Sequence, residues 1–227
     1  SFMSLLSVST LNGLAAEGNG VEELEEQWLE IQRIGPSAIF RLLDIPRRIR
    51  SSNSLFSPHG IEKIVGKLNI NKAVSSPITI EIVTKNETRK KFCFFSNRFS
   101  SQDTKKEIAK FRKATLASTA LPGIFPPVLI EGERYSDPLV PDLNRAIAHG
   151  CQKIIILNLD HDNAFLPTNE HWLSRLGKGI SLLLYDWIEE KVERFKAANP
   201  QCEVTVVKIN KPLPYLSTFF FNKKKDG

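Results

Sequence analysis

No apolar run in the chain approaches the ~18 residues needed to span a bilayer, so no membrane-crossing helix is expected. Residues Ser1–Gly20 contain no lysine or arginine. They therefore lack the basic start of a secretory signal. Cysteine is scarce: Cys93, Cys151 and Cys202 stand far apart, with no C-x-x-C and no histidine at metal-ligating spacing. That pattern excludes a disulfide framework or a zinc module, and it fits reduced core cysteines in a reducing compartment. No RNA-binding sheet motif, zinc finger or recognition-helix pattern is present, so nucleic acid is not an expected partner. Internal repeats are missing as well, and no stretch is rich enough in Pro, Gly or Ser to divide domains. A single domain over residues 1–227 is the expectation.

What the chain does contain is ordinary for a globular protein: 41% hydrophobic and 25% charged residues. Its 227 residues are enough to bury a full core. The formal net charge is +6, with local runs at Arg47-Arg48-Ile49-Arg50, Arg89-Lys90-Lys91 and Lys223-Lys224-Lys225. Such a surface either keeps the protein soluble or favours peripheral contact with an anionic membrane. The tail Phe219-Phe220-Phe221, followed by those last lysines, has the aromatic-plus-basic character of an interfacial anchor or of a buried last strand.

Hydrophobic periodicity orders the chain. Ser4–Ser9 reads as a strand and Thr10–Glu17 as a helix stopped by Gly18-Asn19-Gly20. Helices are expected over Val21–Ile34, Pro36–Leu43 and His59–Leu68. Ile78–Val83 and Phe92–Phe95 form a hairpin with its turn around Asn86. Asp103–Thr119 is a helix with Ile108, Phe111 and Leu116 inward, and Asp142–Ala148 is helical again. Lys153–Leu159 is a continuous apolar run, the mark of a strand buried on both faces. The longest helix spans Leu173–Ala198, and Val204–Ile209 is the last strand. This alternation predicts an α/β fold, three-layer α/β/α with a mainly parallel sheet.

The stretch Ala114–Pro141 stands apart. A helix end rich in small residues breaks at Leu121-Pro122-Gly123, and Pro126-Pro127 forces an extended path. Val128-Leu129-Ile130 and Arg134-Tyr135-Ser136 flank a turn at Glu131-Gly132-Glu133. The hairpin carries an acid, Asp137, to its far end. Ala117, Ser118, Ala120, Pro122, Phe125, Pro126, Pro127, Val128, Ile130, Gly132, Tyr135 and Asp137 together resemble the patatin-like phospholipase family. There the pattern is roughly A-S-x-A-x-P-x-x-F-P-P-V-x-I-x-G-x-x-Y-x-D-G-G, an agreement over about two dozen mixed positions. The chain departs at the end, where Pro138-Leu139 replaces the two glycines.

The resemblance implies a lipid acyl hydrolase cutting carboxylic esters of phospholipids or lysophospholipids through an acyl-serine intermediate. It implies a Ser-Asp dyad with no histidine, no metal and no other cofactor. Asp137 falls on the family's acid. The family's G-x-S-x-G elbow falls on Leu5-Leu6-Ser7-Val8-Ser9, which makes Ser7 the nucleophile without a gap; a two-residue deletion would make it Ser9. Both flanking glycines are replaced, by Leu5 and Ser9, and no glycine-rich oxyanion loop precedes Ser7. Either the chain is a degenerate, inactive relative, a lipid- or protein-binding module, or the sequence runs on across omitted segments. An intact mass of 25.6 kDa separates the two.

Other constellations are weaker. His161 follows the apolar strand and could serve as a triad base, but it reads more simply as a loop histidine. Asp160-His161-Asp162 are consecutive and cannot all point at one ion. Asp137 itself has a bland reading, as the cap of a turn in Leu139–Asn144.

Overall fold

The computed structural model describes residues 2–5, 10, 13–14, 20, 22, 25–26, 29, 54–99, 102–158 and 186–208. The contacts divide the chain into two units, Ser1–Pro141 and Asp142–Gly227.

In the first unit a five-stranded sheet is built around one strand. β1 (Phe2–Leu5) lies parallel to β2 (Thr79–Asn86), with Leu5 opposite Ile82. β3 (Lys91–Ser96) runs antiparallel to β2 from Glu81 to Asn86. β4 (Val128–Ile130) and β5 (Glu133–Ser136) form a hairpin, and β5 joins β2 antiparallel with Ser136 opposite Lys85. A strand has two edges only. Glu81 and Ile82 pair with both β1 and β3, and Lys85 and Asn86 with both β3 and β5. β1 and β5 therefore share one edge of β2, leaving Val83 and Thr84 between them.

Helices flank this sheet. α1 (His59–Lys67) buries Ile61 and Val65 at helical spacing. α2 (Ile70–Val74) starts at Asn69, whose side chain accepts the Lys72 N–H. α3 (Thr104–Ser118) starts at Asp103, whose carboxylate accepts the Lys106 N–H. Its buried side is small apart from Phe111: Ala114, Thr115, Ala117 and Ser118. Those short side chains let the last turns of α3 approach β2 closely. Buried Asn97 ties the layers, accepting from the Ile80 N–H and donating to the carbonyls of Ala73 and Ile78.

Thr10, Gly13 and Leu14 are helical, as are residues 22, 25, 26 and 29, in agreement with the first two expected helices. The helix expected over Pro36–Leu43 lies outside the described residues. Asn86, expected in the turn, instead ends β2 fully buried. It acts on the turn from inside, accepting the Arg89 N–H with its side-chain oxygen. The true turn follows it, with Lys90 at a φ of 54°.

In the second unit α4 (Asn144–Ala148) precedes β6 (Lys153–Asn158), which pairs in parallel with β7 (Glu203–Lys208). Residues 186–198 are helical. Leu143, Ile154, Val192 and Phe195 form a small core. Contrary to expectation, β6 is not buried on both faces: Ile154 is covered, while Ile155 and Leu157 are 69% and 68% exposed. Among the described residues β6 has one partner strand and one covered face, so alternate side chains part company.

The fold is α/β, as expected. Its described strands make two sheets: a mixed five-stranded one, in which only β1–β2 is parallel, and the separate parallel pair β6–β7. The expectation of a mainly parallel sheet is therefore not met among them.

Candidate functional site

The gap on the edge of β2 collects the first unit's distinctive pieces. β1 approaches it from one side, and Leu5 is the last residue of that strand. Thr10, Gly13 and Leu14 are helical. A Cβ on Gly13 would stand 2.5 Å from Leu5 Cδ2, so the helix presses on the strand where glycine leaves room.

From the other side comes β5, whose delivery is built by local chemistry. α3 ends as its last carbonyls are taken by Thr119 and Ala120 N–H groups and by the Thr119 hydroxyl. Leu121-Pro122-Gly123-Ile124 then turns the chain, with the Ile124 N–H on the Leu121 carbonyl. Pro122 at the second position and Gly123 at a φ of 80° suit a type II turn. The turn is fastened by Leu55 and Phe56 N–H groups, which donate to Gly123 and Ile124 carbonyls. Phe125 buries against Phe56, ring centres 6.4 Å apart.

The β4–β5 turn is Glu131-Gly132, with φ of 50° and 83°. Two positive values match a type I′ hairpin, unusual in placing glutamate first. Glu131 is gripped from α3 by Lys110 at 3.1 Å and Lys106 at 3.3 Å. Hydrogen bonds from Lys110 and then Lys106 hold its carboxyl below the usual range. Immediately after the turn Glu133 accepts from Asn86, at 2.8 Å, from the Tyr135 hydroxyl, at 3.0 Å, and from Arg89. Partial burial works to raise the Glu133 pKa, but the bonds from Tyr135, Arg89 and Asn86 outweigh it, and the carboxyl stays low. The Tyr135 ring meets Phe95 edge-on at 5.6 Å.

Asp137 emerges beside the gap, 1% exposed. Its N–H donates to the Ala120 carbonyl at 2.9 Å, and its Oδ1 accepts the Leu139 N–H at 2.7 Å. The donor that Pro138 cannot supply thus comes one residue later. The turn-capping role weighed from the sequence is present, and it orients the carboxylate. Leu139 has a φ of 65°, the left-handed conformation that suits glycine.

One contact joins the two sides. Ser118 Oγ donates to the Val83 carbonyl at 2.7 Å and lies 3.1 Å from Thr10 Oγ1. Sequence reasoning placed Thr10 at a helix start and counted Ser118 in the family pattern, but gave neither a role. Their signal was slight: hydroxyls among small residues at positions that turn out to be fully buried.

Ser7 and Ser9 lie outside the described residues, as do His161 and the Asp160–Asp162 run. His59 and His149 are described and exposed. Among the described residues, no group of three His, Cys, Asp or Glu side chains is arranged to hold a metal ion. None of their helices is long and apolar enough to cross a membrane.

These features have a family counterpart. The family model for patatin-like phospholipase matches residues 10–137, more than half of the chain. The chain belongs to the patatin-like phospholipase family, a family of lipid acyl hydrolases acting on lipid esters. The match starts just after Ser7 and Ser9 and ends on Asp137. A comparison with curated proteins finds no match.

Proposed function

We propose that the chain is a serine hydrolase cleaving carboxylic esters of phospholipids or lysophospholipids, with Ser7 as nucleophile and Asp137 as its base. The observation that carries this reading is the shared edge of β2. Leu5 stands opposite Ile82 and Ser136 opposite Lys85. Those positions are three residue steps apart along β2, about 10 Å at ~3.3 Å per residue. Ser7 is two peptide units beyond Leu5, a reach of about 7 Å, and Asp137 is one unit beyond Ser136, about 3.8 Å. Chain length therefore lets the two side chains meet over Val83 and Thr84.

In this reading Ser7 Oγ attacks the ester carbonyl carbon while Asp137 takes its proton. Backbone N–H groups hold the oxyanion. The intermediate collapses, the alcohol leaves with the proton from Asp137, and the acyl group stays on Ser7. Water, deprotonated by Asp137, then releases the fatty acid. Asp137 suits the base role because it is buried and aimed by two main-chain hydrogen bonds. The +6 surface favours peripheral contact with anionic lipid, from the cytoplasmic side or elsewhere.

The test is covalent labelling by a fluorophosphonate, with the adduct located by peptide mass spectrometry. An adduct on Ser7 is expected, and Ser7→Ala abolishes it together with hydrolysis; a chelator affects neither. An adduct on Ser9 moves the nucleophile by two residues. No adduct favours the competing reading, a non-catalytic lipid- or protein-binding module on the same scaffold. The observation on that side is Leu5, a buried leucine where the family's elbow has glycine.

A further inference from the structure

We propose that Thr10 and Ser118 form a positioning clamp that sets the distance between the nucleophile and Asp137. The inference rests on the Ser-Asp hydrolase reading above and adds two residues to it. Thr10, Ser118 and Val83 are each 0% exposed. A hydroxyl has one proton to give. The Ser118 proton is committed to the Val83 carbonyl at 2.7 Å, which can only accept. At the 3.1 Å contact Thr10 is therefore the donor. The result is a directed chain: Thr10 O–H to Ser118 Oγ, then Ser118 O–H to the Val83 carbonyl.

Each link touches one arm of the site. Thr10 is in the helix that follows Ser7 and Ser9 in sequence. Ser118 ends α3, two residues before Ala120, whose carbonyl holds the Asp137 N–H at 2.9 Å. Val83 lies in the gap between β1 and β5. The clamp thus ties the nucleophile's helix, the acid's anchor and the strand between them at one buried point. A core that needed only packing would fill this place with methyl groups and avoid desolvating two hydroxyls. Neither residue touches the substrate, so both act by fixing geometry. Displacement of a catalytic group by about an ångström lowers rates steeply, by up to a hundredfold.

The experiment uses the full chain, with hydrolysis of p-nitrophenyl butyrate, the rate of fluorophosphonate labelling, and thermal unfolding. Thr10→Val and Ser118→Ala are each expected to lower kcat and the labelling rate about tenfold, with KM changed less than about twofold. The double variant should be no slower than the slower single one, because both break one chain. Thr10→Ser restores the donor and should recover most of the loss. Val65→Ala, a core truncation in α1, supplies a comparable loss of stability and should leave kcat unchanged. If Thr10→Val and Ser118→Ala lower Tm but keep the parent's kcat and labelling rate, the clamp is structural only and the proposal is overturned. Should Ser118→Ala fail to fold, the contrast between Thr10→Val and Thr10→Ser decides. A parent that neither hydrolyses nor labels removes the hydrolase reading and this inference with it, a pattern distinct from loss of the clamp alone.

Discussion

β2 and β6 look alike as apolar strands, yet they are used in opposite ways. β2, TIEIVTKN, carries Glu81, Thr84 and Asn86 among its buried residues, and Ile80, Ile82 and Val83 are fully covered. β6, KIIILN, is the more apolar of the two, and it exposes Ile155 and Leu157. The difference lies in neighbours. β2 has three partner strands and the small-residue end of α3 against it. β6 has one partner among the described residues. A run of apolar residues reports a capacity for burial, and pairing decides whether it is exercised.

The contrast can be tested at four points. Asp137→Asn has the largest expected effect, and it asks whether the chemistry belongs to the β2 side. Asparagine keeps the oxygen that accepts the Leu139 N–H, so the unfolding transition should stay cooperative. Ester hydrolysis should fall by about a hundred- to ten-thousand-fold, the usual worth of a general base. Activity within a few-fold of the parent would remove the dyad.

Next comes a matched pair of truncations. Ile82→Ala should cost about 2–5 kcal/mol in chemical denaturation, as for other fully buried isoleucines. Ile155→Thr should change stability by less than about 0.5 kcal/mol. Equal losses would show that β6 is covered as β2 is, and the comparison would collapse.

A smaller effect is expected at Leu139. Left-handed backbone costs a non-glycine residue about 1–2 kcal/mol, and glycine loses up to about 1 kcal/mol in entropy when ordered. Leu139→Gly should therefore leave stability within about 1 kcal/mol of the parent, while β-branched Leu139→Ile should lower it further. A marked loss in the glycine variant would mean that the leucine side chain, and not the backbone, matters there.

The smallest change is electrostatic. Glu131 and Glu133 have folded-state pKa values below their ordinary 4.5. A lowered carboxylate pKa stabilises the fold at pH values above the unfolded value, and the contribution disappears as pH falls through the folded value. Tm should therefore drop at the acid end of a series from about pH 7 to about pH 3. The Glu131→Gln, Glu133→Gln double variant should begin lower at neutral pH and fall less. An unchanged curve would show that the hairpin's ion pairs, exposed as they are, add nothing measurable.

The hairpin and the proline corner were legible in the chain because their signals are local. Pro122 and Gly123 specify a turn through their own backbone angles, and Asp103 caps α3 through its own side chain. Asn86 was misplaced because asparagine favours turns in isolation; its hydrogen bonds to Glu133 and Arg89 hold it at the strand's buried end. The Thr10–Ser118 contact spans 108 residues and has no local pattern to announce it. The glycines missing after Asp137 left two explanations open, an inactive relative or omitted segments; Leu139, in the place of the second glycine, has a left-handed backbone that only the folded chain reveals.

By itself the sequence determined the α/β class, the family, the helix α3, the β4–β5 hairpin and the position of Asp137 at its end. Each of these follows from residues near one another in the chain, whose turn, capping and periodicity preferences act before any packing. Only the tertiary structure decided that β1 and β5 share one edge of β2, that β6 is half exposed, and that two buried hydroxyls join the helices on either side of the gap. Edge sharing, facing and burial are properties of pairs that meet from distant parts of the chain. Their energy comes from water excluded and hydrogen bonds completed on meeting, so no single stretch can encode them alone.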